Sequence, residues 1–367
     1  MLEQSWSEAE RAGLLAEFGD LYRDRAALVT GADGFLGSHL TDALVSLGAR
    51  VHTVVRARSG RSLTNLEHLR ENVTITWGDL SDRHTVDRAV RALAADDEKP
   101  FVFNFAAQPH VHRSWTQPYE TVSSNIIATL NLLQSIVDHG LELQHFDQVG
   151  TSEEYGNSHG RQFTEDVQRI EVTFDEESPL DPRSIYGTTK VAQDFLARNY
   201  HAAYGVPVTV VRLFNHFGPR QTYDFITGTV ITQALQRDTV ILGDTRPSRD
   251  FTYCTDGVRA HLATAATVAS GDVYTYGNGQ DISIREWARL ILAVGRSKGH
   301  WGECEIVEDR SLMRPGGTEV LALKVDYGKI RSVTGWQPTV NWEDGILRTI
   351  EWFARNRSRW GSLPALV

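Results

Sequence analysis

The segment GTSEEYG, residues 150–156, contains the residue types that acid–base chemistry needs. Hydroxyl groups at Thr151 and Ser152 directly precede carboxyl groups at Glu153 and Glu154. A carboxylate at a strand end can take a proton from a substrate, and a neighbouring hydroxyl can assist. Because side chains alternate along a strand, the two glutamates are expected to point in opposite directions. We predict that Glu153 faces a substrate and that Glu154 is solvated or structural.

A tyrosine and a lysine in the segment SIYGTTK form a second pair of reactive groups. Tyr186 and Lys190 are four residues apart at the start of a predicted helix, so they share one face of it. The lysine ammonium favours the tyrosinate and can also bond the ribose of a nicotinamide cofactor. Both effects are expected to lower the pKa of the tyrosine toward working pH, as a general base requires.

The segment VTGADGFLGSHL predicts a dinucleotide site. It places Gly31, Gly34 and Gly37 after a predicted strand and at the start of a helix. Glycines there allow a tight turn, close approach of the backbone to a pyrophosphate and close packing of helix on strand, and the helix N-terminus attracts the phosphates. The position of the motif at the first strand of the chain supports this interpretation.

Residues after the second, third and fourth strands extend the predicted cofactor site. Asp79 can bond an adenine amine, and the small residues of NFAAQ let the cofactor lie against the backbone. The second strand lacks the acid that binds the ribose of NAD; it is followed by Arg56, Arg58 and Arg61, which suit the 2′-phosphate of NADP. We therefore favour NADP over NAD. The predicted cofactor-binding residues are Gly31, Gly34, Phe35, Leu36, Gly37, Arg56, Asp79, Leu80, Ala106, Ala107, Tyr186 and Lys190.

Short apolar segments alternate with amphipathic ones through the first two thirds of the chain. The predicted strands are 25–30, 51–55, 73–77, 101–106, 145–150 and 208–214, and the predicted helices are 35–47, 82–95, 119–138, 186–204, 284–297 and 342–356. This alternation predicts an α/β fold with a parallel, doubly wound sheet of the Rossmann type and a smaller C-terminal substrate-binding part.

The predicted organisation has three parts. Residues 1–25 form a helical extension with Leu14, Leu15, Phe18 and Leu21 on one face. Residues 26–214 form an NAD(P)-binding domain that carries the catalytic residues. Residues 215–367 mainly bind substrate, with some chain returning to the first domain.

Composition excludes several classes of protein. The 367 residues carry a net charge of −10, without the basic surface of a nucleic-acid-binding protein. No apolar run approaches the roughly 20 residues that span a bilayer, and the N-terminus lacks the pattern of a signal peptide. The two cysteines cannot form a disulfide framework, which favours a cytoplasmic location. No metal site is expected, because His110 and His112 have no suitably spaced partner.

Taken together, the ordered motifs resemble the extended short-chain dehydrogenase/reductase superfamily, and within it the nucleotide-sugar epimerases and dehydratases. The resemblance covers about residues 26–353 and rests on GADGFLG, GDLSD, NFAAQ, TSE, YGTTK, FNHFGPRQ, RDFTY and GWQP. It implies that Tyr186 removes the proton of the sugar C4 hydroxyl while the C4 hydride passes to the nicotinamide. Lys190 and Thr151 would assist.

The resemblance also bears on the reaction. Simple 4-epimerases resemble Ser-Ala-Thr at the end of this strand, whereas 4,6-dehydratases resemble Thr-Asp-Glu or, in the GDP-mannose type, Thr-Ser-Glu. Thr151, Ser152 and Glu153 follow the last pattern, so the expected activity is that of an NDP-hexose 4,6-dehydratase, a lyase, with Glu153 removing the C5 proton. Ser152 replaces the aspartate of the other type. The alternatives are a 4-epimerase, an NADPH-dependent 4-ketosugar reductase, which the segment Glu-Glu-Tyr-Gly resembles, and a UDP-glucuronate-type decarboxylase. The insert 157–181 departs from the shorter loops of the family.

The resemblance supplies the substrate and partner expectations. Asn215, Arg220, Arg249 and Arg314 would bind the diphosphate sugar; arginine suits phosphate oxygens. The helices 119–138 and 186–204 would form a homodimer through a four-helix bundle. The cofactor would be tightly bound and recycled, and neither nucleic acid nor membrane is an expected partner.

Overall fold

A computed structural model describes residues 6–56, 62–157, 172–267, 270–314 and 318–360 of the chain. Arg58, Arg61 and most of the predicted insert, residues 158–171, lie outside the described residues. Within the described ranges, no helix is long and apolar enough to cross a membrane.

A parallel sheet of seven strands forms the centre of the first part. In chain order the strands of the structure are β1 Ala26–Thr30, β2 Arg50–Val55, β3 Val73–Trp77, β4 Phe101–Asn104, β5 His145–Thr151, β6 Val208–Leu213, β7 Asn215–Phe217, β8 Thr239–Leu242, β9 Ser248–Tyr253, β10 Val273–Tyr276, β11 Asp281–Ser283, β12 Glu305–Glu308 and β13 Ala322–Leu323. The large sheet has the order β10-β6-β5-β4-β1-β2-β3. Its six predicted strands are confirmed. The seventh, β10, was not predicted from its short sequence VYTY and returns to the sheet from the C-terminal part.

Helices cover both faces of this sheet. They are α1 Glu8–Tyr22, α2 Phe35–Ser46, α3 Arg83–Ala94, α4 Val111–Thr116, α5 Pro118–Val122, α6 Ala128–Asp138, α7 Ile185–Tyr204, α8 Ile226–Ala234, α9 Cys254–Thr267, α10 Ile284–Ser297, α11 Gly328–Thr334 and α12 Trp342–Arg355. Alternate residues of β1 face opposite layers: Ala27 and Val29 pack with α2 and α9, and Ala26 and Leu28 pack with α3 and α6. The predicted doubly wound α/β fold is confirmed.

The predicted helix 119–138 is interrupted. A π-helical segment, Ser123–Ile127, separates α5 from α6. Asn125 in this segment is fully buried and donates to the Thr189 hydroxyl on α7 at 2.8 Å, while its own side-chain oxygen accepts from the backbone of Gln108 at 2.7 Å. Such tertiary bonds cannot be read from helical periodicity.

The C-terminal part has its own core. A four-stranded sheet contains β7, β9, β11 and β13, and β8 pairs with β12. Trp287 of α10 stacks on Phe251 with ring centroids 4.2 Å apart and meets Phe217 edge-on at 5.0 Å. These aromatic contacts join α10 to β7 and β9, so the strands that carry predicted substrate residues rest on a rigid support.

The N-terminal helix α1 packs onto the first part. Leu14 and Phe18 are buried, but Leu15 is 52% exposed, so the predicted apolar face is wrong at that residue. Tyr22, which the sequence did not assign to this face, is buried, and its hydroxyl donates to the carbonyl of Leu262 at 3.0 Å.

Candidate active site

The glycine turn after β1 has the geometry that a dinucleotide needs. Gly31 has a φ of +67°, and a Cβ atom there would lie 2.9 Å from the backbone nitrogen of Ala106. A Cβ on Gly37 would lie 2.3 Å from the carbonyl oxygen of Gly31. Only glycine lets the turn, the strand end and the helix approach this closely.

The N-terminus of α2 presents backbone N–H groups beside this turn. Gly34 is its N-cap and makes no side-chain cap, so the first turn with Phe35 and Leu36 keeps its N–H donors for an anion. Asp33 in the turn accepts backbone N–H bonds from Thr64 and Asn65 at 2.6–2.9 Å. The segment after residue 62 is thereby tied to the glycine turn.

The predicted adenine side of the site is assembled from the ends of β2 and β3. The Nε atom of Arg56 lies 2.8 Å from an Asp79 carboxylate oxygen, and its Nη2 atom donates to Ser124 at 2.7 Å. Both charged side chains remain partly exposed. Leu80 is buried beside them, and the backbone nitrogen of Ala106 donates to Thr30 at 3.0 Å. Ala107 follows at the end of β4.

The catalytic candidates meet at the end of β5. Residues Ser152–Glu154 form a 3₁₀ turn, and Thr151 caps it. The Thr151 side chain acts on the Tyr186 hydroxyl and lowers its pKa. The start of α7 packs tightly on this turn, because a Cβ on Gly187 would lie 2.8 Å from the carbonyl oxygen of Glu153. The structure thus brings Thr151, Glu153 and Tyr186 together as the sequence predicted.

The electrostatics of the tyrosine–lysine pair differ from expectation. Burial raises the pKa of Tyr186 above its ordinary value, and the Thr151 hydrogen bond opposes this rise. Lys190 is also buried and donates to the carbonyl of Val149. Burial lowers the pKa of Lys190 to about 8, against the charges of Glu154, Asp194 and Asp147, which raise it. The predicted lowering of the tyrosine pKa is wrong, because burial raises this pKa and the negative charges of Glu153 and Glu154 raise it further.

Glu153 lies in a buried charge network. One carboxylate oxygen is 3.3 Å from Nη2 of Arg314, while the other has no hydrogen-bond partner among the described residues. Burial raises the pKa of Glu153, but the charges of Arg314 and Arg249 lower it by more than burial raises it. The pKa therefore lies below its ordinary value. The side chain is therefore an ionised carboxylate, as a general base requires, and one of its oxygens is unpaired within the described part of the chain.

Two predicted substrate residues join this network through a residue that sequence reasoning missed. Glu319 lies 3.1 Å from Nη2 of Arg249 on β9 and 3.5 Å from Nε of Arg314. Asn215 begins β7, which pairs with β9 next to Arg249. The only sequence signal for Glu319 was its position five residues after Arg314 in RPGGTEV.

Arg220 does not join this network. It has a φ of +69° and its Nη2 atom bonds Asp42 of α2 at 2.7 Å. The structure therefore places it against the helix of the cofactor turn, and its predicted role in binding the sugar diphosphate stays a prediction.

Glu154 is buried rather than solvated. It lies in the 3₁₀ turn, so strand alternation does not apply to it, and its carboxylate accepts from the backbone N–H of Thr151 at 2.7 Å. Arg212 of β6 lies 3.4 Å from its second oxygen. These contacts agree with the prediction that Glu154 is structural. The alternative prediction, that Glu154 is solvated, is wrong. Ser152, between Thr151 and Glu153, is also buried.

The histidines near β4 have ordinary protein contacts. His110 stacks on Phe225 with ring centroids 4.5 Å apart and lies 3.5 Å from Asp224. In the described part of the chain, no group of three or more His, Cys, Asp or Glu side chains is arranged to hold a metal. Cys254 and Cys304 are both free thiols.

Comparison with known proteins gives a consistent result. The sequence model of the family described as GDP-mannose 4,6 dehydratase matches residues 28–349. The chain is 32% identical over 351 residues to a dTDP-glucose 4,6-dehydratase of Streptomyces griseus, covering 92% of this chain and 98% of that protein. It is 29% identical over 359 residues to a dTDP-D-glucose 4,6-dehydratase of Mus musculus, covering 96% and 94%.

A solved structure extends this similarity to the fold. It is a double mutant of the dTDP-glucose 4,6-dehydratase DesIV from Streptomyces venezuelae with NAD bound. The TM-score is 0.77 at 27% identity, with 92% of this chain and 98% of that chain covered.

Proposed function

The chain belongs to the GDP-mannose 4,6-dehydratase family, and we propose that it converts a nucleoside-diphosphate hexose into a 4-keto-6-deoxy sugar. The predicted resemblance to nucleotide-sugar epimerases and dehydratases of the extended short-chain dehydrogenase/reductase superfamily is confirmed. The predicted enzyme class, a nicotinamide-dependent nucleotide-sugar dehydratase, is confirmed with it.

The observation that carries the proposed reaction is the position of Glu153. Its carboxylate is buried and ionised, one of its oxygens has no hydrogen-bond partner among the described residues, and it lies two residues after Thr151. Exchange of hydride at C4 alone needs only one acid–base group at the C4 oxygen. An ionised carboxylate in addition to this group supports removal of a proton from a neighbouring carbon, as elimination of water across C5 and C6 requires.

Each residue has a distinct part in the proposed reaction. Tyr186 takes the proton of the C4 hydroxyl, Thr151 orients the tyrosine, and Lys190 supplies positive charge beneath it. Glu153 takes the C5 proton, which the C4 ketone has made acidic, and passes a proton to the departing C6 hydroxyl. The products are water and a 4-keto-6-deoxy sugar. A bound nicotinamide would accept hydride from C4 and return it to C6, while a proton added at C5 would match the one that Tyr186 took, so the cofactor would not be consumed.

The substrate proposal rests on the arginine pair. Arg249 and Arg314 bring two guanidinium groups to the carboxylates of Glu153 and Glu319, and guanidinium suits the oxygens of a diphosphate. We place the substrate diphosphate at this pair, with Asn215 beside it. We propose a dTDP-hexose, because relatives that match almost the whole chain are named for dTDP-glucose.

The cofactor is a nicotinamide dinucleotide, since the glycine cradle fits one and similar structures hold NAD. We propose that NADP is preferred. Arg56 follows β2 where NAD-binding proteins carry an acid, and its partly exposed guanidinium is tethered by Asp79 and Ser124. A positive group held in this way supports a bond to the 2′-phosphate.

We also propose a homodimer in the cytoplasm. Large apolar side chains are exposed on the helices predicted to form the four-helix bundle: Tyr119 at 90%, Phe195 at 48% and Ile127 at 40%. Exposed apolar groups clustered on neighbouring helices are typical of protein interfaces. Light scattering should give twice the chain mass, and Phe195→Glu should reduce it to that of one chain. The cytoplasmic location is supported by the two free thiols.

The reaction is tested by incubating the purified protein with dTDP-glucose, GDP-mannose, UDP-glucose and UDP-glucuronate. We expect dTDP-glucose to give a product lighter by one water, without net use of cofactor. A product of unchanged mass would indicate an epimerase, loss of carbon dioxide would indicate a decarboxylase, and stoichiometric use of NADPH with a 4-keto sugar would indicate a reductase. Any of these results would overturn the proposal.

A further inference from the structure

The fold makes room for Glu154 directly behind the catalytic strand end. A Cβ atom on Gly150 would lie 2.8 Å from the Glu154 carboxylate and 2.8 Å from Cγ of Arg212, so only glycine at this position admits both side chains. The carboxylate accepts from the backbone N–H of Thr151, and Glu154 is fully buried. Burial of a carboxylate costs free energy unless a nearby positive charge or hydrogen bonds compensate it.

The compensation of Glu154 is incomplete. Arg212 makes two hydrogen bonds to Asp194, at 2.8 and 3.0 Å, and only approaches Glu154 at 3.4 Å. Arg198 adds a second cation to Asp194 at 2.5 Å. One Glu154 oxygen has no hydrogen-bond partner among the residues that the structure describes. The two arginines therefore pair more closely with Asp194 than with Glu154, whose charge is less well compensated.

Lys190 is the buried cation that this charge reaches. Its ammonium bonds the carbonyl of Val149, two residues before the Thr151 N–H that holds Glu154. Both groups are thus tied to the last residues of β5. We propose that Glu154 is a positioning residue, which fixes the end of β5 and supplies the counter-charge that keeps Lys190 protonated while Tyr186 accepts a proton. This inference rests on the proposed function of Tyr186 and Lys190.

The charges around the two groups support this assignment. Burial and Asp194 raise the pKa of Glu154 to about 7, while Arg212 and Lys190 lower it. Burial lowers the pKa of Lys190, while Glu154, Asp194 and Asp147 raise it. Among the described residues, Tyr155 and Glu176 contact Arg212, His261 bonds Asp147, and Glu153 acts on Tyr186. Loss of the Glu154 charge should therefore lower the pKa values of both Lys190 and Tyr186.

The test is the substitution Glu154→Gln, which keeps the side-chain size and the oxygen that accepts from Thr151. Dehydration should still occur, but both limbs of the pH profile of kcat should move to lower pH by roughly one unit. Glu177→Gln, which removes a charge from an exposed position, should leave both limbs in place. A residue that only supports the fold would lower kcat or Tm without moving the limbs, and this result would overturn the inference.

Glu154→Asp is the second variant, used also if Glu154→Gln does not fold. Aspartate keeps the negative charge but shortens the side chain, so kcat should fall while both limbs of the pH profile stay in place. A shift of the limbs as large as that expected for Glu154→Gln would show that the charge is not the cause. NADPH binding, measured by fluorescence across the same pH range, provides a readout without sugar turnover. The alkaline limb of NADPH binding should move to lower pH in Glu154→Gln even if the protein dehydrates no sugar. This readout therefore separates failure of the inference from failure of the proposed reaction. An alkaline binding limb that does not move would contradict the inference.

Discussion

Arg314 lies 3.3 Å from Glu153 and holds the pKa of that carboxyl below its ordinary value although the side chain is buried. The contact joins the end of β5 in the nucleotide-binding part to a segment of the C-terminal part. The same arginine approaches Glu319, the partner of Arg249. The group proposed to remove the C5 proton and the groups proposed to bind the diphosphate therefore form one electrostatic unit.

Glu153→Gln should separate the two halves of the reaction. Glutamine cannot accept the C5 proton, so formation of the 4-keto-6-deoxy product should fall by about 10²–10⁴-fold. In the proposed reaction, oxidation at C4 depends on Tyr186 and should continue, so reduced nicotinamide should accumulate after substrate is added and be detected by its absorbance. Glu177→Gln is the matched control and should retain full turnover. Loss of C4 oxidation together with dehydration would contradict the assigned role.

Arg314→Ala should change both substrate affinity and pH dependence. Without the positive charge of Arg314, less opposes the effect of burial, so the pKa of Glu153 should rise. Activity needs the ionised carboxylate, and the acidic limb of kcat/KM should therefore move to higher pH. KM should also rise by roughly tenfold, because a hydrogen bond to a charged group is worth about 1.5–3 kcal/mol.

The control for this variant is Arg310→Ala, which removes an exposed arginine from the same segment. It should leave the acidic limb and KM unchanged. If Arg314→Ala raised KM without moving the limb, Arg314 would bind substrate but would have no influence on the base.

The sequence predicted most of the sheet because its strands are short, mainly apolar runs that are largely buried, except in the edge strand β3. It missed β10, whose four residues lie among irregular segments. It also missed the π-helical break at Ser123–Ile127, because this break depends on a buried hydrogen bond between Asn125 and Thr189.

The site was predicted where local motifs determine it and missed where tertiary contacts do. The spacing of Tyr186 and Lys190 and the order Thr151, Ser152, Glu153 predicted the candidate reacting groups. Glu319 was missed because its partners come from β9 and from Arg314. The solvated alternative for Glu154 was wrong because alternation was extended from β5 into what is a 3₁₀ turn.

Arg56→Ala tests the proposed preference for NADP. Removal of the guanidinium should weaken NADP binding by about tenfold or more, because charge-assisted bonds to phosphate are among the stronger hydrogen bonds. NAD has no 2′-phosphate, so its dissociation constant should change much less. Arg88→Ala, at an exposed position on α3, should affect neither cofactor. Equal weakening of both, or tighter binding of NAD by the unaltered protein, would show that NADP is not preferred.

Glu10→Ala tests whether α1 is part of the folded unit. Glu10 accepts from the Thr255 hydroxyl at 2.6 Å and from Arg348 at 2.7 Å, so it joins α1 to α9 and α12. Loss of these bonds should lower the free energy of unfolding by about 1–3 kcal/mol. Glu8→Ala, on the exposed side of the same helix, should cost much less.

The loss in Glu10→Ala should depend on pH. Burial raises the pKa of Glu10, but hydrogen bonds from Ser7 and Thr255 and the charge of Arg348 together lower it by more than burial raises it. The pKa therefore lies below its ordinary value. A carboxylate with a depressed pKa stabilises the fold above its unfolded pKa, and this contribution disappears as pH falls through the folded pKa. The difference in Tm between the unaltered protein and Glu10→Ala should therefore be full near pH 7 and shrink below about pH 4. A difference that stays constant over this range would mean that the charge of Glu10 does not hold α1 in place.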